Sequence, residues 1–597
     1  MAFLLGAYGR TSALYMQKFL TIANAHAQHD SIQMLSWEQG YVIAGQKKEH
    51  QKTHNQTFML NRKQGILVGK IFDRDNNNQS FTSEHALAKI MGENPHLLYK
   101  HFWGRYIGAL YNHITNKLVL VRDPLGLSTL FYYQTPDGLI FSTEIALLYA
   151  IMEQKPSLDF AYFAEYIINR NNALASTPFQ EIKELLPGIA LEIDANGHTT
   201  QQLMWDIASL KSPYISDEDA YEEELLTVLK ASVQAWTQDV DGICLKLSGG
   251  LDSSAILIAL RAVLPTHKKL VAINMIDSQV PSSNEHEHAQ KVADACATPL
   301  HFIDSATISL ITELPTTLLP NSPTTFLIYY QLSQSTYDIA RQHGCLEIMS
   351  GQGGDHVFCA PQPKAALADY WLDHGLRGIT RPLKELSGAY RTSWGSLAHE
   401  NLNNITNYYR KKTIKAHENI STSLLDATFA QTLHKPKFYL SDQLSQFYPA
   451  KSLHIQSLSH AIFYAERDRW WPQNVMTHPL LSLPLVECGL KIPTYQSFDD
   501  GYDRIFFRKA TSKMRNSKAL WRNVKGDTTG TMAQSFVREI DQITDLLTNG
   551  TLVKSGIINR QWLDDKLVKI RHGYLGDDSW LLLHLLTSEL WLKQWKQ

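Results

Sequence analysis

An apolar run, Ile243-Cys244-Leu245-Lys246-Leu247, enters Ser248-Gly249-Gly250-Leu251-Asp252-Ser253 and leaves into a helix-like stretch from Ser254 to Ala262. The six middle residues therefore stand where a parallel strand turns into a helix. Glycines there let the main chain approach a ligand closely, and N–H groups beside the positive end of the helix converge on one anion. Serine hydroxyls add donors, and Asp252 offers a hard oxygen for Mg²⁺. No lysine follows as in G-x-x-x-x-G-K-[ST], so this is not a Walker loop. A Ser/Gly-rich turn that holds nothing is the plainer alternative.

The chain of 597 residues has room for two or more domains with sizeable cores. Its net charge of −2 gives no general pull toward nucleic acid or an anionic membrane. Five cysteines, Cys244, Cys296, Cys345, Cys359 and Cys488, form no C-x-x-C pair, and most lie in apolar runs. They imply buried thiols in a reduced, cytosolic setting and speak against a zinc site. The start, Met1 to Ala7, lacks a basic n-region, and no apolar run is long enough to span a bilayer. The expectation is a cytoplasmic protein that binds neither nucleic acid nor membrane.

Two halves differ in rhythm. As far as Trp205, short strands alternate with turns: Leu118–Val121, then Leu130–Tyr133, a Pro136-Asp137-Gly138 turn and Leu139–Phe141, which together predict an antiparallel meander. Helical pieces are expected near Glu84–Ile90 and Ile145–Met152. Beyond Ser216, candidate strands Ile243–Leu247, Leu270–Ile276, Leu300–Ile303 and Leu346–Met349 are separated by helix-length segments, which predicts crossover units and a parallel sheet. Ligands of such sheets bind beyond the carboxyl ends of the strands, where the Ser248 loop falls. Residues 361–450 are polar and fit a helical insertion or a lid. Trp580 to Trp595 is apolar at helical spacing, as a packed terminal helix or an amphipathic partner-binding one.

The Ser248–Ser253 loop resembles the pyrophosphatase (PP) loop of ATP-cleaving ligases. The order of motifs resembles the asparagine synthetase superfamily over nearly the whole length. In the first half, Trp103-Gly104-Arg105-Tyr106, Val121-Arg122-Asp123-Pro124-Leu125-Gly126, Phe141-Ser142-Thr143-Glu144 and Leu185-Leu186-Pro187-Gly188 are similar to a class II glutamine amidotransferase domain. That resemblance implies α/β plus α+β architecture. An Ntn-type antiparallel sandwich (1–205) would precede a parallel-sheet PP-loop synthetase domain with helical additions (206–597). The sandwich lacks its nucleophile: residue 2 is Ala2 where the family frees a cysteine, and Val68-Gly69-Lys70-Ile71-Phe72-Asp73 stands near the place of the family's Asn-Gly-Glu motif.

In the second half the resemblance carries residue by residue. Leu247, Ser248, Gly249, Gly250, Asp252 and Ser253 would cradle ATP phosphates. Asn274-Met275 ends the next strand, where the family holds adenine, which assigns Met275 to the nucleotide. Ser350-Gly351-Gln352-Gly353-Gly354-Asp355 carries the partner loop, with Asp252 and Asp355 sharing Mg²⁺ and Ser350, Gly351 and Gln352 beside the nucleotide. Gln352 stands where asparagine synthetases carry Glu and β-lactam synthetases Tyr, and it cannot ionise. Glu285 either caps a helix or faces the site. Thr477 to Glu487, Lys491 to Thr494 and Gly501 to Ala510 most resemble lasso peptide cyclases. Arg504 replaces the family's lysine and would stabilise charge on the adenylate with a fixed fork, while Arg508 is as well suited to structure as to catalysis. Glu466 or Asp468, in Glu466-Arg467-Asp468-Arg469-Trp470-Trp471, could orient a substrate amine or simply form a solvated face. His478 is a possible proton acceptor or a hydrogen-bonded core histidine.

The expected activity is that of an ATP- and Mg²⁺-dependent carbon–nitrogen ligase forming AMP. As a lasso peptide cyclase it would adenylate an Asp or Glu side chain of a leaderless core peptide and close a macrolactam on the N-terminal amine. Its partners would be that precursor peptide and the leader peptidase of the same pathway. A small-molecule amidating ligase and an inactive precursor-docking scaffold are the alternatives.

Overall fold

The computed structural model describes residues 2–10, 12–26, 32–46, 56–60, 64–75, 78–80, 98–168, 175–210, 212–280, 285–360, 363–412, 422–433, 443–467, 475–522, 529–574, 576 and 579–596. Among the described residues thirteen strands build the first half: β1 (Ala2–Gly9), β2 (Gln33–Trp37), β3 (Gly40–Gln46), β4 (Gln56–Leu60), β5 (Gly65–Asp73), β6 (Gln79–Ser80) and β7 (Phe102–Asn112). They continue with β8 (Lys117–Arg122), β9 (Phe131–Thr135), β10 (Gly138–Ser142), β11 (Ile182–Glu184), β12 (Ile189–Ile193) and β13 (Thr199–Leu203).

One sheet runs β11-β9-β10-β1-β3-β2, the other β13-β12-β8-β7-β5-β4, with β6 on β5. Side chains alternate along β1: Leu4 and Tyr8 enter the core shared with Ile66, Val68 and Leu120 of the second sheet, while Phe3, Leu5 and Ala7 face a layer of helices. Burial on both faces turns the strand's period of two into a continuous apolar run.

The antiparallel sandwich is as expected, but the three-stranded meander is not. Strand β8 pairs with β7 and β12 in the second sheet, whereas β9 and β10 form a hairpin in the first. Asp123 explains the crossing between sheets: its carboxylate accepts the N–H groups of Leu125, Leu127 and Ser128 and holds a sharp loop after β8. The helix Ile145–Ile151 forms as read, and the piece near Glu84–Ile90 lies outside the described residues.

The second half holds a parallel sheet of β14 (Gly242–Lys246), β15 (Lys269–Ile276), β16 (Leu300–Asp304), β17 (Glu347–Ser350) and β18 (Val475–Thr477), in the order β16-β15-β14-β17-β18. The first four match the sequence reading to within two residues at each end. Strand β18 is new, three residues long and added to the edge from far along the chain. The order reverses between β14 and β17, the topological switch point at which α/β sheets place ligands. Residues 366–409 form three helices, Ala366–His374, Thr380–Tyr390 and Trp394–Tyr409, so this part of the 361–450 segment is helical insertion.

The two halves are bolted together. Phe72 and Trp103 of the sandwich pack on Trp236, with ring centroids 5.1 and 5.8 Å away. The Lys70 ammonium donates to the Trp236 carbonyl at 2.7 Å, and Arg74 grips Glu487 through two nitrogens at 2.8 and 3.2 Å. The helix Ser579–Trp595 lies against the sandwich rather than presenting an apolar face: Trp591 is buried and packs on Phe163 and Phe179 at 5.6 Å each. Burying one such ring stabilises the contact by about 2–3 kcal/mol. Among the described residues no helix is long and apolar enough to cross a membrane. All five cysteines are buried free thiols, and burial pushes Cys244 and Cys359 up to about 12.

Candidate functional site

Parallel pairing of β14 with β17 sets Lys246 opposite Ser350, so the loops that leave these strands emerge side by side. The first passes through Gly249, whose φ of +82° only glycine adopts freely, into the helix Leu251–Val263. A side chain at Gly249 would also strike the Ala289 nitrogen at 2.6 Å. Within the turn, the Ser248 and Ser253 hydroxyls lie 3.0 Å apart, and the Gly250 N–H donates to Ser248 Oγ at 3.3 Å. Ser248 is exposed and Ser253 buried, so the turn presents one hydroxyl outward and uses the other as its brace.

The second loop presses on the first. A Cβ at Gly351 would come within 2.5 Å of the Ser253 nitrogen, and one at Gly354 within 2.3 Å of Asp252 Oδ1. Glycine at these two positions is therefore a condition for Asp355 to stand beside Asp252. The two aspartates meet on one nitrogen: Arg504 Nη1 lies 2.9 Å from both Asp252 oxygens and 2.5 Å from Asp355 Oδ1. Arg504 is 4% exposed and adopts φ 53° at the N-cap of the helix Ile505–Met514. Burial works against its charge, but Asp252, Asp355 and Asp503 outweigh it and raise its pKa.

The remaining residues sort by position. Leu247 is buried, and its carbonyl accepts from Asn274 Nδ2 at 2.8 Å. Met275 is 42% exposed near the carboxyl end of β15, an apolar side chain open to solvent on the side where the Ser248 loop emerges. Ser350 Oγ accepts the Gln352 N–H at 3.1 Å and meets His478 Nδ1 at 2.8 Å, so His478 is a buried, hydrogen-bonded histidine bracing the second loop. Glu285 makes no side-chain cap bond and instead pairs with Arg522 at 2.6 Å. Arg508 serves structure: its fork reaches Asp503 Oδ1 at 2.6 Å and the carbonyls of Asp503 and Leu520 at 2.7 and 2.5 Å. Glu466 stands in the last turn of the helix Pro449–Arg467, with its side chain outside the described residues, as is Asp468.

Two groups went unread in the sequence. Asp503 shares its carboxylate between Arg504 and Arg508, and an Asp-Arg pair with a second Arg four residues on was the available signal. His454 donates from Nε2 to the carbonyls of His356 and Val357 at 2.9 and 3.1 Å, behind the short helix Gly354–Val357 that carries Asp355. Burial and the nearby Lys451 lower its pKa to about 3, which keeps it neutral and leaves Nε2–H as the donor. Nothing local in the sequence marks it.

Oxygen ligands from two carboxylates suit a hard cation such as Mg²⁺, which takes its other ligands from water and phosphate. Among the described residues no three His, Cys, Asp or Glu side chains could hold a metal by themselves, so a cation here would be completed by a nucleotide. Asn274 Oδ1, buried beside the loop, has no hydrogen-bond partner among the described residues and fits an incoming donor. The cradle and the carboxylate pair therefore fit a nucleotide with its divalent cation.

The structure thus joins an Ntn-type antiparallel sandwich to a parallel sheet with glycine loops and two aspartates at its switch point. The asparagine synthase family model matches residues 224–593 and a glutamine amidotransferase domain model matches 74–205. The chain belongs to the asparagine synthase family. It is 28% identical over 160 residues to asparagine synthetase [glutamine-hydrolyzing] 3 of Bacillus subtilis, a match spanning 26% of this chain and only 25% of that protein. Among solved structures it is similar to the glutamine phosphoribosylpyrophosphate amidotransferase of B. subtilis, with 11% identity, a TM-score of 0.23, and coverage of 59% of this chain and 81% of the other. An NH3-dependent NAD synthetase from Campylobacter jejuni gives 18% identity, a TM-score of 0.18, and coverage of 34% and 100%.

Proposed function

We propose that this protein is an ATP-dependent lasso peptide cyclase that forms AMP. The observation that carries the reading is the missing source of ammonia. Residues 1–243 contain no cysteine, and the face where the sandwich meets the synthetase sheet is filled by Lys70, Arg105, Trp103 and Trp236. The amine would then come from outside the sandwich, either carried by the substrate or as free ammonia, and we take the first. A peptide that carries both carboxylate and amine meets this need, and holding both ends on one enzyme can remove about 7–11 kcal/mol of the barrier.

In the proposed reaction a side-chain carboxylate oxygen of the core peptide attacks the α-phosphorus of ATP, and pyrophosphate leaves. The N-terminal amine then attacks the acyl carbon, loses a proton and expels AMP, closing the amide. Ser248, Gly249, Gly250 and Ser253 receive the pyrophosphate, and Met275 lies under the base. Arg504 neutralises charge on the phosphates. Asp252 and Asp355 would hold Mg²⁺, which when bound draws charge from the phosphate oxygens. Gln352 cannot accept the amine's proton as an ionised base would. Thr477–Glu487 and Gly501–Ala510 support the cyclase reading by their resemblance. A precursor peptide and its leader peptidase are the proposed partners.

The similarity to an asparagine synthetase favours a second reading, amidation of a small acid such as aspartate. ATP–pyrophosphate exchange separates the two. Exchange with a core peptide bearing a free N-terminus and an Asp or Glu supports the cyclase. Exchange with aspartate alone overturns it in favour of the amidating ligase, and peptide binding without any exchange would make the protein a docking scaffold.

A further inference from the structure

Arg504 bridges the two aspartates. A single nitrogen, Nη1, serves three oxygens of two carboxylates, and the side chain is 4% exposed. Its Nε contacts Asp503 at 3.3 Å, and Asp503 is itself fixed by Arg508 at 2.6 Å, so the guanidinium is held on both sides. Its backbone is held as well, in the left-handed region at the head of a helix. The carboxylates differ: Asp355 keeps 35% of its side chain exposed and Asp252 14%, so the pair is reached from solvent on the Asp355 side.

We propose that Arg504 is a resident counter-ion that closes the aspartate pair and is exchanged for the divalent cation of the nucleotide complex. The proposal rests on assigning Asp252 and Asp355 to that cation. Two adjacent carboxylates repel each other unless a cation lies between them, and Arg504 supplies one from within the chain. A free divalent ion must break these charge-assisted bonds before it can bind. An ion arriving with a nucleotide meets no such loss, because the displaced guanidinium transfers its bonds to the phosphates. Metal and nucleotide then bind cooperatively, each weakly alone. The same exchange delivers Arg504 to the phosphates only when the metal is seated.

Manganese is the probe. Free Mn²⁺ is followed by its electron paramagnetic resonance signal during titration of the whole protein, without nucleotide, for wild type, Arg504→Met and Arg504→Gln. Removing the guanidinium should tighten Mn²⁺ binding by at least about tenfold, the equivalent of one charge-assisted bond no longer broken. In the presence of ATP the order should reverse, with the variants holding the Mn²⁺–nucleotide complex more weakly than wild type. Arg504→Gln carries the test should Arg504→Met fail to fold, as judged by near-ultraviolet circular dichroism. Folded variants that bind Mn²⁺ no tighter than wild type overturn the proposal. So does tightening that persists in Arg504→Met/Asp252→Asn, since the ion would then lie elsewhere. No peptide or turnover enters the measurement, so it can fail while the ligase reading stands, and the reverse.

Discussion

The Lys70 ammonium on β5 donates to the main-chain carbonyl of Trp236 at 2.7 Å, in the last turn of the helix Glu218–Thr237. Lys268 meets the next two carbonyls, of Thr237 and Gln238, at 2.7 and 2.8 Å. Two cations thus sit on the negative end of one helix, one of them from the other half of the molecule. Burial lowers the Lys70 pKa, so the charge is held against its own desolvation.

That balance predicts different outcomes for two substitutions. Lys70→Ala should lower stability by about 2–3 kcal/mol, through an unsatisfied carbonyl and an unfilled space. Lys70→Met leaves the same carbonyl without its donor and likewise removes the buried charge, but it fills the space and should cost at least about 1 kcal/mol less than Lys70→Ala. Thermal midpoints of the two proteins check this.

Gly354→Ala should slow exchange about 10²-fold while sparing the fold. The new methyl group would meet Asp252 Oδ1 at 2.3 Å and push the aspartate away from Arg504. A displacement of about 1 Å at a reacting centre can cost about 10²-fold in rate. The ATP–pyrophosphate exchange rate should fall by that order, with a melting point close to wild type.

Asp252→Asn keeps the shape of the side chain and removes its charge. Exchange should drop by roughly 10²–10³-fold, the usual effect of deleting one electrostatic contact to a reacting group. Wild-type exchange by a folded Asp252→Asn protein would remove the carboxylate pair from the reaction.

Two buried groups tied to the helix Pro449–Arg467, Asp369 and His454, predict opposed pH dependences. Asp369 accepts N–H bonds from Ala450 and Lys451 at 2.8 and 3.0 Å, yet burial raises its carboxyl from 3.8 to about 7. A raised folded-state value gives stability that is present below the unfolded value and lost as pH rises from about 4 through about 7. His454 is lowered from 6.5 to about 3, so its share is present above 6.5 and lost as pH falls toward 3. Thermal midpoints across pH 4–8 should fall less steeply on the alkaline side for Asp369→Asn. They should fall less steeply on the acid side for His454→Gln.

Much of the site could be read from the chain because its chemistry is local. The Ser248 loop and the Ser350 loop each follow a strand directly, and parallel register sets the two loops side by side. What escaped was set by contacts between distant segments. Strand β18 is three residues long and is a strand only because β17 pairs with it. The assignment of β8 and β9 to different sheets turns on Asp123, whose loop-holding bonds leave no trace in a pattern of apolar residues. His454 lies 98 residues along the chain from the carbonyl of His356 that it braces. Arg504 stands out in the sequence as a cation, but the bridge it makes between Asp252 and Asp355 depends on the tight glycines at 351 and 354.

The seat of Trp591 on Phe163 and Phe179 has a consequence for synthesis of the chain. A nascent sandwich leaving the ribosome lacks this cover over Phe163 and Phe179 until the helix Ser579–Trp595 has been translated. Truncation before residue 579 would leave that apolar seam of the amino-terminal half uncovered.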